Sequence, residues 1–436
     1  MSAFTAEQCE SLIRAVDAGM AAADDLFTQL AQQTADTQGV TRASYGEGEQ
    51  IAHALVAETA RQQGLEVASD LAGNLYMTLP GQNRSAAALI TGSHLDSVPC
   101  GGNYDGAAGV VAGLVALDAL KRTGITPPRD LTVMAVWSEE CGSWFVGRHG
   151  GHLGSRAALG LMAAEELDTA IHLGSGLTLG EQMAACGLDP DRLRAAPPHL
   201  SRATVAGYLE LHIEQGPVLE SVAQPVGIVT GIRGNTRARD ACCIGEYTHS
   251  GAVPQSHRHD AVLATAELLM GLETEAHKVL ADGGDIVFAA GKLFTDPALH
   301  SLSKVPGDVR FTLDIRSLDR PTIKKFSDLA CALAEDIAAR RGVRFDLGDF
   351  PVSTPTLMDD AHRRHLWDGC AALDTPAIDI ASGGGHDAQE FDRSGIPASM
   401  IFVRNANGSH NADEAMALDD FAAGTKLLAW ALATLP

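Results

Sequence analysis

The stretch from residue 86 to residue 140 constrains the fold most. AAALITGSHLD reads as a buried strand, DGAAGVVAGLVALDAL as a helix beginning near Gly106, and DLTVMAVWSEE as a second buried strand. Strands alternating with a helix in this way pair in parallel, so the chain is built around an α/β sheet. Chemistry in such sheets gathers beyond the carboxyl ends of the strands, which is where HLD and SEE fall.

The 436 residues exceed what one hydrophobic core usually supports, so two domains are expected. Residues 5 to 65 read as two amphipathic helices, NLYMTLPG as a strand, and GYLELHIEQGP as another strand ending in polar residues. After it the texture changes to antiparallel strands and long helices, and the α/β pattern resumes from about residue 340. The expectation is a discontinuous catalytic domain, 1–217 and 332–436, with an inserted α+β unit at 218–331.

Charge narrows the possible partners. Acidic residues outnumber basic ones 55 to 32, and the net charge of −23 repels nucleic acid and anionic membrane surfaces. A site for an anionic substrate must therefore be assembled from local cations. No stretch approaches the roughly 18 uninterrupted apolar residues of a membrane span, and no basic segment followed by an apolar run opens the chain. Eight cysteines without a CxxC pair fit reduced thiols. The expected setting is the cytoplasm.

Four separated segments carry residues suited to metal-assisted hydrolysis, which needs a bridging carboxylate, terminal ligands on each ion and a spare carboxylate for the proton of water. TGSHLDSVPCGGNYDG supplies His94 and, eleven residues on, Asp105; WSEECG supplies Glu139 and Glu140; HIEQGP supplies His212; NGSHNADE supplies His410. Taken singly each has a plainer reading. A lone His is more often a hydrogen-bonded loop residue, Asp105 suits a helix N-cap, and paired glutamates are usually a solvated face. All of them, however, fall at strand ends or loops beside small residues.

These segments, with HLGSRAALG, LELHIEQGPVLE, THSGAVP, VPGDVRFTLDIRS and SGGGHDA, resemble in order the amidase/hydantoinase/carbamoylase branch of the M20 metallopeptidase superfamily. The resemblance implies a di-metal aminopeptidase-like catalytic domain carrying an inserted α+β lid and dimerisation domain. It implies that His94, Asp105 and His212 hold one divalent ion, that Asp105, Glu140 and His410 hold a second, and that Asp105 bridges. Zinc is the first expectation, with manganese, cobalt or nickel as alternatives. Glu139 corresponds to the general base, whose pKa burial and neighbouring negative charge would raise, and Asp96 to the carboxylate that orients the groups around the metals.

The same resemblance makes His249 an oxyanion donor reaching a partner's site, hence a homodimer, and makes Arg316 the clamp on a substrate carboxylate. Gln215, Ser303, Gly384 and Gly385 are the further substrate-binding candidates. Ser303 stands where the family typically has Asn, with His300, Lys304 and Arg310 nearby. The segment after Glu140 also departs, with Cys141, Trp144 and an extra GRHGG stretch. The expected activity is hydrolysis of an N-carbamoyl-L-amino acid or related ureido acid, a small carboxylate-bearing substrate. The rivals are an N-acyl amino acid amidohydrolase and a metal-containing binding protein without catalysis.

Overall fold

The computed structural model describes residues 4–147 and 150–435 and divides into two compact units, Met1–Thr230 with Met358–Pro436, and Gly231–Leu357. The expected cut after 331 would fall inside the helix Arg320–Arg341, whose apolar face (Ile323, Phe326, Ala330, Ile337) is buried in the core of the second unit. The helix therefore belongs wholly to that unit.

In the first unit the sheet runs Glu66–Ser69, Leu75–Leu79, Leu131–Val136, Ala88–His94, Val205–Ile213, Ala398–Val403, Val226–Ile232, with Ala377–Ser382 also pairing the last of these. Its centre is parallel. Ala88–His94 lies between Leu131–Val136 and Val205–Ile213, and Ala398–Val403 runs parallel to Val205–Ile213 on the far side. Antiparallel strands finish both sides. The four parallel strands thus deliver their carboxyl ends to one rim, in a register that sets His94 opposite Val136 and His212 opposite Phe402.

The helix Ala107–Arg122 is buried on nearly every side from Ala107 to Leu117, as its run of small and branched apolar residues requires of a helix packed between a sheet and further helices. Helices Ala6–Gln33 and Leu418–Thr434 cover it, and Val16, Phe27, Leu30, Val111, Leu114, Phe421 and Leu428 join one core with the sheet. This packing fixes where the helix begins, and with it Asp105.

The second unit is an antiparallel sheet in the order Val287–Ala289, Asp308–Ser317, Gly234–Ile244, Arg344–Asp346, with Leu293–Phe294 also pairing Asp308–Ser317. Helices Ala261–Ala281 and Arg320–Arg341 pack on one face. Along Asp308–Ser317 the alternation Val309, Phe311, Leu313, Ile315 points into that core. Arg310, Asp314 and Arg316 consequently lie on the opposite face. Among the described residues no helix is long and apolar enough to cross a membrane.

Candidate metal centre

His94 closes the strand Ala88–His94 and is buried. Its Nδ1 lies 3.1 Å from the Asp96 carbonyl oxygen and 3.3 Å from Asp96 Oδ1. His212, next to last in Val205–Ile213, sets Nδ1 2.9 Å from the Ile213 carbonyl oxygen, while its Nε2 accepts the Gly106 N–H at 3.2 Å. In both rings the acceptors around Nδ1 place the proton there and leave the Nε2 lone pair facing inward. The two Nε2 atoms are 3.5 Å apart.

Between them sits Asp105. Its Oδ1 is 3.2 Å from His212 Nε2 and 3.6 Å from His94 Nε2, yet it is a buried oxygen without a hydrogen bond. Its Oδ2 is 3.4 Å from His410 Nε2, which is 2.8 Å from Glu140 Oε1. Asp105 therefore belongs to two ligand sets, His94–Asp105–His212 and Asp105–Glu140–His410, each with donor atoms within 4.8 Å of one another. The first set is buried, while His410 opens the second to solvent. Two imidazole Nε2 atoms, that of His212 accepting the Gly106 N–H, flank a buried carboxylate oxygen without a hydrogen bond, a set that could hold a divalent cation, and imidazole with carboxylate suits zinc and its first-row neighbours.

Gly106 permits this geometry. It adopts φ +68°, and a Cβ there would stand 2.4 Å from the His94 ring. Around the ligands the polar atoms are tied down. Asp96 accepts the backbone N–H groups of Glu139 and Glu140 at 3.1 and 3.0 Å and the Ser44 hydroxyl at 2.5 Å, coupling His94 to both glutamates. Ser409 Oγ contacts Asp105 Oδ2 at 2.6 Å and Glu414 Oε2 at 2.5 Å, and Glu414 Oε1 accepts the Tyr104 and Asp105 N–H groups. A third set, Glu210, His212 and His386, is already committed elsewhere: Glu210 accepts from Ser93 and Ala388, and His386 Nε2 meets Ser382 Oγ at 2.9 Å.

Glu139 differs from expectation. Burial works to raise its pKa, but His94 and His152 outweigh burial and lower it to about 2. His152 Nε2 lies 3.1 Å from Glu139 Oε1, a partner that no motif of the chain points to. The raised carboxylate is Glu140, lifted to about 7 by burial and by the Glu139 and Asp105 charges, with His410 opposing. His410 in turn is lifted to about 11 by Asp105 and Glu140. So much negative charge in one buried place is relieved by cations.

Gln215, at φ +64°, donates from Nε2 to Asp105 Oδ2 at 2.9 Å, so its amide is bonded directly to the carboxylate that the two sets share. The glycine run borders the site: a Cβ on Gly384 would lie 3.2 Å from Gln215 Oε1, and one on Gly385 2.9 Å from His152 Nε2. Cys141 is buried, and Trp144 Nε1–H donates to the Ser97 carbonyl at 2.7 Å. Of the GRHGG stretch, Arg148 and His149 lie outside the described residues.

His249, Ser303 and Arg316 belong to the second unit. The strand Thr248–His249 pairs with Lys304–Val305, setting the exposed His249 opposite Lys304, and the Ser250 N–H donates to the Ser303 carbonyl at 2.9 Å. Arg316 is paired with Asp314 at 2.7 Å.

The chain matches Peptidase family M20/M25/M40 over residues 90–434. It belongs to that family. Among its M20 relatives, the N-carbamoyl-L-amino acid amidohydrolase of Geobacillus stearothermophilus is 36% identical, covering 91% of this chain and 94% of the relative. The allantoate amidohydrolase of Bacillus subtilis is 30% identical over 89% of this chain and 91% of its own length. A crystal structure of an amidase of the hydantoinase/carbamoylase family from Burkholderia multivorans superposes with TM-score 0.85 at 27% identity, covering 95% of this chain and 97% of that one. These matches place the chain in the hydantoinase/carbamoylase branch of the M20 enzymes and bear out the mixed α/β fold expected from its motifs.

Proposed function

We propose that this chain is a metal-dependent amidohydrolase that cleaves the C–N bond of an N-carbamoyl-L-amino acid or related ureido acid. The observation that carries the reading is Asp105, shared by two His/carboxylate sets, with a buried oxygen that makes no hydrogen bond between the Nε2 atoms of His94 and His212. When bound, a pair of divalent ions, zinc before manganese, cobalt or nickel, would supply Lewis acidity and activate water. His94, Asp105, His212, Glu140 and His410 would hold them.

Glu139 takes the proton from the attacking water and delivers it to the leaving nitrogen. Water adds to the carbamoyl carbon, the C–N bond breaks, and the amino acid, ammonia and carbon dioxide leave. Arg316 pairs with the substrate carboxylate, His249 donates to the developing oxyanion, and Ser303 replaces an amide with a hydroxyl, which shifts side-chain preference. Gln215, Gly384 and Gly385 border the substrate, and Asp96 orients the metal ligands. The enzyme acts as a homodimer joined through the second unit. Cys9, Cys100, Cys186, Cys242, Cys243, Cys331 and Cys370 are free thiols, which suits a reducing compartment such as the cytoplasm.

The test is ammonia release from a panel of N-carbamoyl-L-amino acids and allantoate, with and without chelator, beside N-acetyl amino acids. Chelator-sensitive ammonia release supports the reading. Acetate release alone would assign an N-acyl hydrolase, and no turnover of either class in the metal-loaded protein would remove the catalytic reading.

A further inference from the structure

Glu139 is held from a direction that none of the metal motifs accounts for. Its Oε2 lies 3.9 Å from His94 Nε2, on the metal side, whereas its Oε1 lies 3.1 Å from His152 Nε2. The other face of that imidazole is also engaged: Nδ1 is 3.0 Å from Glu390 Oε1, and Glu390 is fixed by Arg393 at 2.8 Å and by Gln389 Nε2 at 2.8 Å. The result is a line Glu139–His152–Glu390 that starts at the metal centre and ends on the helix Ala388–Arg393.

The backbone carrying His152 is pinned as well. The residue sits at φ 39°, ψ 56°, a left-handed conformation that side chains other than Gly, Asn and Asp seldom adopt and that is sustained only where surroundings enforce it. The enforcement is visible in the Leu153 N–H donating to the Ser138 carbonyl and the Gly154 N–H donating to the Trp137 carbonyl, each at 3.0 Å. The start of the helix Leu153–Ala158 is thereby bonded to the two residues that precede Glu139. Gly385 lies against the ring so closely that a Cβ would stand 2.9 Å from Nε2.

We propose that His152 is a positioning residue for Glu139, clamped between Glu139 and Glu390 so that one oxygen of the Glu139 carboxylate is occupied and the other is aimed at the metal side. The inference rests on the amidohydrolase reading, in which Glu139 moves the proton of water. An unclamped carboxylate would sample orientations that do not reach that water, so the clamp acts on turnover and not on substrate binding.

The test compares His152→Asn, His152→Gln and Glu139→Gln in the zinc-loaded full chain, with an N-carbamoyl-L-amino acid as substrate. Asn tolerates the left-handed backbone and keeps a donor on the Glu390 side, but it is too short to reach Glu139. Gln carries its amide nitrogen about as far as Nε2. The expected result is a kcat about 10- to 100-fold lower in His152→Asn, with KM and zinc content held, and a partial recovery of kcat in His152→Gln. Glu390→Gln, which keeps the shape of the anchor, carries the same expectation from the far end: a lower kcat at unchanged KM and melting temperature. Wild-type kcat in His152→Asn and Glu390→Gln, or equal losses in Asn and Gln accompanied by lost zinc, would overturn the proposal. Full activity in Glu139→Gln would remove the base assignment itself, a failure independent of position 152.

Discussion

Replacing the Glu139 carboxylate by an amide of the same shape separates proton transfer from metal binding. Neither ligand set includes Glu139. Glu139→Gln should therefore retain its metal by elemental analysis while kcat falls about 10²- to 10⁴-fold, the usual weight of a positioned general base. A second residue carries a pH signature unrelated to chemistry. His53 is buried against Trp137, and burial, which outweighs the Val136 carbonyl, lowers its pKa from 6.5 to about 3. The unfolded chain binds that proton near pH 6.5 and the folded chain does not until about pH 3. Stability is thus intact above pH 6.5 and declines as pH falls, by about 1.4 kcal/mol per pH unit from this residue. Denaturant melts between pH 6.5 and 4.5 should show a shallower loss in His53→Phe than in the wild type, and parallel slopes would contradict the assignment.

At the scale of elements, the site depends on how a strand end and a helix start are joined. Gly106 is the last residue before Ala107–Arg122, and its left-handed backbone turns Asp105 back over His94. At φ 68°, ψ −50°, a region that residues with a Cβ rarely adopt, Gly106→Ala costs about 1–3 kcal/mol for the backbone alone. The added Cβ must also displace the His94 ring. A lowered melting temperature together with weakened metal binding is expected, read by calorimetry and by metal titration.

Much of this architecture was legible. The apolar runs of Ala88–His94 and Leu131–Val136 announced buried parallel strands, and His94 at the end of the first falls in a His/carboxylate cluster that could hold a metal ion. Two things were not legible. The boundary of the second unit was hidden because a helix pattern continues unbroken through residues 320–341. His152 was hidden because the residues it meets, Glu139 and Glu390, lie 13 and 238 positions away, so no local spacing relates them. The direction of the Glu139 shift is hidden for the same reason: adjacent glutamates are visible in a sequence, and an opposing imidazole from a later turn is not.

For the whole molecule, the proposed function makes bound cations part of the folded state, offsetting the charge buried around Asp105. Anything that binds the native chain alone stabilises it, by about 4 kcal/mol at a thousandfold excess over Kd. Chelation should lower the melting temperature and restoring zinc should recover it. The proposed chemistry requires Asp105 to serve two ions. Anomalous difference density from crystals of zinc-loaded protein tests that most directly. Two peaks are predicted, one bounded by His94, Asp105 and His212, the other by Asp105, Glu140 and His410. No peak within coordinating distance of Asp105, with zinc bound elsewhere, would contradict it.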